Sequence, residues 1–419
     1  MIINSQNFKK LSLLLLLLPV SLITGPFLPD LSIVIISIFF LIWAIKNKQY
    51  KFFKEKTIII FCFFYISIIC SSLFSTEILF SLKSSFFYIR FIIFTLAVWA
   101  LLEEDYKIAY RLLYVFLLIF GLLFFDTVYQ FINGQNLLGF KYVNSQNFRI
   151  TSLFGEDEIL GSYIARLFPF ILSLIVFYQL KERKLFSQPL IYFFIISSFL
   201  TTYLSGERTS FVLIVMSSIL ITLSCKSLRK FFLVSLSTIL IVVTIISIFD
   251  DRIKKRMIDT TIQQMNLNDA DNRIILFSKT YESHYIIALN MFKEKPIIGH
   301  GPKMFRVFCQ KPENFVAVNA CTTHPHNIYM QFLSETGIIG FFIIFFIFCT
   351  ILFFILKNIY FSFFKNKELM SDQQTCIYIF YFTTLFPVIP SGNFFNNWLS
   401  IIYFLPAGFL LYFRYNRNN

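Results

Sequence analysis

The chain has 419 residues, of which 57% are hydrophobic and 14% are charged, and its mean hydropathy is +0.70. This composition is typical of polytopic membrane proteins and excludes an ordinary soluble domain. The formal net charge of +14 would favour a nucleic-acid ligand in a soluble protein. Here the basic residues concentrate in short loops between apolar segments, so we interpret the charge as a topology signal and expect no nucleic-acid partner.

Twelve apolar segments follow one another along the chain, and each predicts a membrane-spanning helix. The predicted spans are 11–28, 31–45, 57–74, 84–102, 112–132, 159–180, 188–204, 208–224, 230–249, 336–356, 375–390 and 397–413. The first span resembles a signal peptide, but it lacks a small-x-small cleavage site and further spans follow directly, so we expect it to be retained. The expected fold is an all-α polytopic membrane protein, with residues 1–419 forming a single integral membrane domain.

Lysine and arginine are distributed unevenly between the two sets of loops. If the N-terminus is cytoplasmic, the cytoplasmic segments carry 20 basic residues and the short loops on the opposite side carry four. Since basic loops tend to stay in the cytoplasm, this asymmetry predicts that both termini are cytoplasmic. It also predicts that the large loop 250–335, between the ninth and tenth helices, lies outside the cytoplasm.

Two arginines, Arg90 and Arg166, fall inside predicted spans, where a charge is costly and usually functional. Each lies about two turns from the outer end of its helix, near the depth of Asp126 and Arg208. The shared depth favours a cationic cavity that opens to the outer side. The alternative is that Asp126 pairs with an arginine inside the bundle. Arg208 also ends the short turn SGERTSF, where an arginine can hold a phosphate bidentately.

Two acidic groups could bind a divalent metal. The run Glu156-Asp157-Glu158 offers oxygen ligands, but it also fits a solvated helix start, where acidic residues favour the helix dipole. The pair Asp250-Asp251 has the wrong spacing for the acidic metal motifs of sugar-nucleotide transferases, and we assign it to solvent. The sequence therefore predicts no metal site.

All four histidines of the chain lie within the large loop: His284, His300, His324 and His326. We expect His284 to be packed or exposed rather than catalytic, and His300 to be structural. A helix is predicted over 271–296, with Arg273 in its first turn and Pro296 at its end.

The last two histidines lie in the segment TTHPHN. Pro325 suits the first turn of a helix that Thr322, Thr323 or His324 could cap. The positive end of such a helix keeps a nearby imidazole neutral and favours a phosphate anion, which suits glycosyl transfer from a pyrophosphate donor. The alternative is that both histidines merely cap the helix. Cys309 and Cys321 lie just before them, and an oxidising compartment would allow a disulfide that holds this loop in place.

Three motifs together resemble those of the bacterial O-antigen ligase and polymerase superfamily. The first is His326-Asn327 followed, after nine residues, by Gly337-x-x-Gly340. The second is SGERTS, which places Arg208 at the outer start of a helix. The third is NRIILF, with Arg273, shortly before the turn PIIGHGPKMF. The motif-bearing region covers residues 205–345, and the late large loop agrees with the layout of the family.

The resemblance implies an inner-membrane glycosyltransferase of GT-C-like fold that acts in lipopolysaccharide biosynthesis on the periplasmic side. Its donor would be a glycan on undecaprenyl pyrophosphate, held by Arg208 and Arg273. His326 would be the general base, with inversion at the sugar carbon, and His324 would orient His326 or the acceptor. Independently of the resemblance, and from their depth in the membrane alone, we add Arg90 and Arg166 to the anion-binding cavity. No metal and no cofactor would be required.

The acceptor separates the alternatives that the sequence leaves open. Transfer to lipid A–core oligosaccharide would make the protein a ligase, which is the leading hypothesis. Extension of a glycan on the lipid carrier would make it a polymerase, and transfer to protein an O-oligosaccharyltransferase. A lipid or polysaccharide transporter is the alternative of another class. It is disfavoured because we detect no internal repeat and because the long loop follows the ninth helix on the outer side.

Overall fold

The structure of the protein is a computed structural model. It describes residues 5–142, 148–183, 185–265, 275, 278–365 and 367–416. In these residues we find no β-strand beyond an isolated antiparallel bridge between Gln135 and Lys141. The α-helices are α1 (Ser5–Lys10), α2 (Ser12–Ser21), α3 (Phe27–Lys46), α4 (Thr57–Leu73), α5 (Ile78–Phe86), α6 (Ile89–Glu104), α7 (Ile108–Asn133), α8 (Leu160–Glu182), α9 (Gln188–Leu204), α10 (Arg208–Ser224), α11 (Lys226–Phe249), α12 (Asp251–Lys254), α13 (Thr260–Gln264), α14 (Lys279–Glu294), α15 (Phe305–Phe308), α16 (Ile328–Phe364), α17 (Asp372–Thr384) and α18 (Asn397–Tyr415).

Every predicted span corresponds to a helix of the structure. Helices α9 and α10 coincide with the predicted spans residue for residue, because polar or turn-forming residues flank both apolar runs. Helix α2 has 10 residues and α17 has 13, so both are shorter than the spans predicted for them.

Among the described residues, seven helical segments are long and apolar enough to cross a membrane. They are Phe27–Lys46, Ile78–Glu104, Ile108–Asn133, Leu160–Glu182, Lys226–Phe249, Ile328–Phe364 and Asn397–Tyr415. Helices α4, α9 and α10 are apolar but shorter. The prediction of an all-α polytopic membrane protein is therefore confirmed, while the number of twelve crossings stays a prediction.

Helix α8 lies at the centre of the bundle. The most apolar stretch of α8 is 94% buried, against 22% for α11 and 28% for α16. It packs against α7, α9, α10 and α17. Because α8 has no free face, its N-terminus is fixed in position relative to the neighbouring helix ends, and the polar groups described below gather there.

Helix α16 is interrupted at Gly337, which has φ +65° and ψ −164°. The interruption is caused by the turn PIIGHGPKMF, which crosses the helix at this point. The amide of Ile338 donates to the carbonyl of Pro296 at 2.8 Å, and the amide of Gly301 donates to the carbonyl of Glu335 at 2.7 Å. The turn thus replaces hydrogen bonds that the helix loses at its kink.

The crossing requires glycine on both chains. A Cβ atom on Gly299 would lie 2.5 Å from the carbonyl carbon of Glu335, and one on Gly337 would lie 2.3 Å from the carbonyl oxygen of Ile297. Both glycines also have a positive φ, which other residues adopt only at a cost. The two glycine motifs of the sequence are therefore the two halves of one backbone contact.

Substitution of Gly299 should test this contact. We expect Gly299→Ala to destabilise the protein by about 3 kcal/mol or more, because the backbone of α16 must move as well as the turn. Gly139 is the matched control, since it has φ +86° but no atom within 4 Å of its Cβ position. Gly139→Ala should cost only the conformational strain of about 1–2 kcal/mol. Equal losses of thermal stability in detergent for the two variants would contradict the crossing.

Candidate active site

Helix α16 begins at Ile328, directly after the histidine pair. Asn327 is its N-cap, and the side-chain oxygen of Asn327 accepts from the amides of Tyr329 at 3.0 Å and Met330 at 3.1 Å. The amide nitrogen of the same side chain donates to the carbonyl of Pro387 at 2.7 Å. Because both ends of its side chain are hydrogen-bonded, Asn327 caps the N-terminus of the helix.

The predicted helix start at this position is therefore wrong. Pro325 lies before the helix rather than in its first turn, and Asn327 is the N-cap in place of Thr322, Thr323 or His324. The residues that were predicted to cap the helix cannot do so, because the chain turns sharply at His326, whose φ is +53°. This left-handed conformation brings the histidine pair onto the loop 385–396 between α17 and α18, here called the α17–α18 loop.

His326 lies at the centre of an aromatic cluster. Its ring centroid is 4.1 Å from that of His324, 5.3 Å from that of His284 and 5.6 Å from that of Tyr281. Its carbonyl oxygen accepts from the amide of Ser391 at 2.9 Å. Burial and the nearby His284 lower the pKa of the His326 imidazole to about 4. His326 is therefore neutral at pH 7, and burial is the main cause rather than the helix terminus.

The other two histidines of the cluster also make hydrogen bonds. His324 donates from Nε2 to the carbonyl of Ser391 at 3.2 Å, and its Nδ1 accepts from the Thr323 hydroxyl at 2.9 Å. Burial, followed by the nearby His326, lowers the pKa of His324 to about 3. His284 donates from Nδ1 to the carbonyl of Ala320 at 2.7 Å. His324 thus positions the cluster and has no ring nitrogen left for a proton transfer.

His300 lies away from this cluster, in the turn that crosses α16. It is buried, and its Nε2 donates to the carbonyl of Met291 at 2.9 Å. The expectation that His300 is structural is thus consistent with its position.

The turn SGERTS connects α9 to α10 and contacts the start of α8. The carboxylate of Glu207 accepts from the amides of Gly161 at 2.7 Å and Ser162 at 3.0 Å, so that it caps α8. Gly161 has no room for a side chain, since a Cβ there would lie 2.6 Å from the Ser205 hydroxyl. Glu207 is buried and committed to this cap, and Arg208 becomes the first residue of α10.

Three arginines gather beside this turn: Arg149, Arg208 and Arg256, here called the arginine cluster. Arg208 donates to the Thr261 hydroxyl at 3.0 Å and to the side-chain carbonyl of Gln264 at 2.6 Å. Arg256 lies in a π-helical turn between α12 and α13 and donates to the carbonyl of Gly206 at 3.1 Å.

The arginine cluster is strongly cationic. Burial, followed by the charges of Arg149 and Arg208, lowers the pKa of the Arg256 guanidinium to about 10. The Arg256 guanidinium therefore keeps its charge at pH 7. The nearest exposed carboxylate is that of Glu158, 3.5 Å from Nε of Arg149. The cluster thus carries more positive than negative charge and can bind an anion.

Tyr281 connects the arginine cluster to the histidines. The Tyr281 ring contacts the rings of His284 and His326, with centroids 6.0 Å and 5.6 Å away. Its hydroxyl also interacts electrostatically with Arg208 and Arg256. A neutral imidazole and a cationic anion site therefore lie on either side of one tyrosine.

Three other predicted arginines are placed differently. Arg273 lies outside the described residues. The helix predicted over 271–296 begins at Lys279, with Ser278 as its N-cap. Arg90 donates to the Asp30 carboxylate at 2.8 and 3.1 Å, so its charge is largely balanced.

Arg166 is buried in the second turn of α8 and donates to the Ser162 hydroxyl. Its Nε has no hydrogen-bond partner within the described part of the chain. Arg166 therefore belongs to the N-terminal end of α8, which Glu207 caps.

The predicted disulfide between Cys309 and Cys321 is confirmed, with Cα atoms 5.2 Å apart. It holds the segment that contains Ala320 and Thr322, the partners of His284 and His326. The other cysteines of the described residues are free.

We expect oxidation of this pair to stabilise the loop by about 2–3 kcal/mol, because the bridge closes a short segment. Thiol labelling in denaturant should find five thiols without reductant and seven with it, from seven cysteines in all. Cys309→Ser should lower transfer activity and thermal stability together, whereas the exposed Cys62→Ser should change neither. Seven reactive thiols before reduction would contradict the bridge.

Sequence reasoning missed Arg256, Tyr281 and the α17–α18 loop. Arg256 was hidden in the charged run DDRIKKRM, which local composition cannot separate into exposed and buried members. The loop did carry a signal, because the polar segment PSGN interrupts two apolar spans.

The chain matches a known protein family over part of its length. The family model described as O-antigen ligase matches residues 192–345. No curated protein matches the chain. The matched segment runs from α9 into α16 and contains Arg208, Arg256, Tyr281 and the histidine cluster. Over this segment, which is about a third of its length, the chain is similar to the O-antigen ligase family.

Proposed function

We propose that the protein transfers a glycan from undecaprenyl pyrophosphate to a hydroxyl group of lipid A–core oligosaccharide, at the periplasmic face of the bacterial inner membrane. The family match supports the coarser statement, a ligase- or polymerase-type glycosyltransferase acting on lipid-linked glycans. The observation that carries the finer proposal is the neutral His326 joined through Tyr281 to the arginine cluster. The excess of basic residues in the predicted cytoplasmic loops supports the orientation.

His326 acts as the general base. Thr322 has one hydroxyl proton, which the carbonyl of His324 accepts at 3.0 Å. At the 3.4 Å contact with His326, the threonine oxygen is therefore the acceptor and Nε2 of His326 the donor. This arrangement leaves Nδ1 of His326 to take the proton from the acceptor hydroxyl.

The arginine cluster stabilises the leaving group. As the acceptor oxygen bonds to the anomeric carbon, the bond from that carbon to the pyrophosphate oxygen breaks and its electron pair stays on the pyrophosphate. Fixed guanidinium groups favour this developing charge without reorganising. Attack from the face opposite the leaving group inverts the anomeric carbon, and the arginines supply the charge neutralisation that the step needs.

The remaining predicted residues have supporting roles in this proposal. Arg273 is a further pyrophosphate ligand by family resemblance. His324 orients His326 through the ring contact at 4.1 Å. Arg166 and Arg90 border the cavity, Arg90 as an ion pair with Asp30.

The acceptor is the part of the proposal with competing answers. A polymerase or a protein O-oligosaccharyltransferase would use the same donor and the same residues. Lipopolysaccharide from a deletion strain separates these possibilities. Loss of all long-chain bands indicates a ligase, a band with a single repeat indicates a polymerase, and an unchanged pattern contradicts both.

The direct test uses purified protein with undecaprenyl-pyrophosphate glycan and lipid A–core oligosaccharide. We expect transfer with inversion and with equal rates in EDTA and in Mg²⁺. Activity lost in chelator and restored by Mg²⁺ or Mn²⁺ would contradict the arginine-based mechanism and point to the acidic run at Glu156. A transporter would move lipid in liposomes without product, and its His326→Ala variant would still do so.

A further inference from the structure

A second pair of cations lies on the other side of the histidine pair. Lys303 and Arg306 follow the glycine turn that crosses α16, and the two side chains interact electrostatically with each other. Arg306 also interacts with His324, whereas the arginine cluster reaches His326 through Tyr281. Each cationic group is therefore linked to a different histidine of the pair. Arg306 is linked to His324, and the arginine cluster is linked to His326 through Tyr281.

The backbone that carries this pair is fixed. Lys303 has a left-handed φ of +66°. The carboxylate of Glu335, which is fully buried, accepts from the amides of Lys303 and Phe305, the latter at 3.2 Å, and from the side-chain amide of Gln331 at 2.9 Å. These donors occupy both oxygens of Glu335, so the carboxylate holds the turn in place. It interacts electrostatically with Lys303 and Arg306 but forms an ion pair with neither.

Neither cation of the pair forms an ion pair in the described part of the chain. Within the described residues, neither Lys303 nor Arg306 has a carboxylate within ion-pair distance. Nε of Arg306 is buried and has no hydrogen-bond partner in the same part of the chain. A buried guanidinium N–H without a partner costs free energy that an anionic ligand would recover.

We propose that Lys303 and Arg306 bind a phosphate group on the acceptor saccharide and so place its hydroxyl beside His326. This inference rests on the proposed function. The donor's pyrophosphate is assigned to the arginine cluster, so the second cationic pair is left for the other substrate. A phosphate monoester carries close to two negative charges at pH 7 and matches one guanidinium fork together with one ammonium group.

The test compares lipid A–core oligosaccharide before and after removal of its phosphate groups by a phosphatase. For the wild-type protein we expect kcat/KM to fall by about tenfold to a hundredfold when the phosphates are removed. In Arg306→Gln and Lys303→Met this preference should nearly disappear, with the rate on the dephosphorylated acceptor and the donor KM unchanged. Lys311→Gln is the matched control, because it removes one charge from an exposed position of the same loop.

Several results would overturn the assignment. These are equal wild-type rates on both acceptors, equal losses on both acceptors in Arg306→Gln, or a raised KM for the donor instead of the acceptor. A carboxylated, phosphate-free oligosaccharide used as well as the phosphorylated one would also overturn it. Equilibrium binding of the phosphorylated acceptor, without donor, provides a readout independent of transfer. Binding that depends on Arg306 without any glycan transfer would support this site and contradict the proposed function.

Discussion

His326→Ala is expected to lower the rate of glycan transfer by about 10²–10⁴-fold, the range typical of losing a general base. His326→Gln should lose as much activity while it keeps a donor for the Thr322 hydroxyl, so that the loss is separated from unfolding. His300→Gln is the matched control. Its side-chain amide can replace the Nε2 donor that contacts the Met291 carbonyl, and it should retain activity. Full activity of purified His326→Gln would contradict the mechanism.

The pH profile gives a second measurement on the same residue. A general base works only when deprotonated, so the rate falls as the pH falls through its pKa. Since burial lowers the pKa of His326 from 6.5 to about 4, kcat/KM should stay level from pH 8 to near pH 5 and then decline. An inflection at pH 6.5 would show that the imidazole is solvated in the working enzyme, contrary to the buried cluster.

Arg208→Ala should lower transfer by about 10²–10³-fold, as removal of a fixed donor to a developing anion does in other enzymes. Arg208→Lys should recover only part of this loss, because a single ammonium group cannot reproduce the guanidinium fork. Inhibition by free undecaprenyl pyrophosphate should weaken in parallel, which links the effect to the phosphates.

Arg111 provides the control for this experiment. It is an exposed arginine of α7 that pairs with Asp105, and Arg111→Ala changes the net charge by the same amount. We expect this variant to keep wild-type activity and product inhibition. If Arg208→Ala behaves like Arg111→Ala, the arginine cluster does not hold the leaving group.

The helices were predictable because the bilayer makes hydrophobicity a local signal. Each apolar run must form a helix so that its own backbone N–H and C=O groups are hydrogen-bonded, independently of the neighbouring segments. The starts of α14 and α16 were not predictable on the same basis. Asn327 caps α16 in preference to earlier residues because its side chain also reaches Pro387 in a loop 60 positions away.

The site itself was only partly visible in the sequence. His326 and Arg208 stand in local motifs that the family shares, so both could be named. Arg256 is buried because the Gly206 carbonyl accepts from it across 50 positions. Arg90 finds its counter-ion, Asp30, across 60 positions. Such contacts depend on how the helices assemble, so the neighbouring sequence does not predict them.

The contact between Gly299 and Gly337 has a consequence for the relatives of this protein. A side chain at Gly299 would displace the backbone of Glu335, and one at Gly337 would displace the backbone of Ile297, so each position constrains the segment that carries the other. Across an alignment, the two glycines should therefore vary together or stay together, although nearly 40 positions separate them in the chain. A relative that lost one glycine should show a compensating insertion or deletion near the other. In such a relative, the residue that corresponds to His326 and the turn that carries Lys303 would be displaced relative to each other.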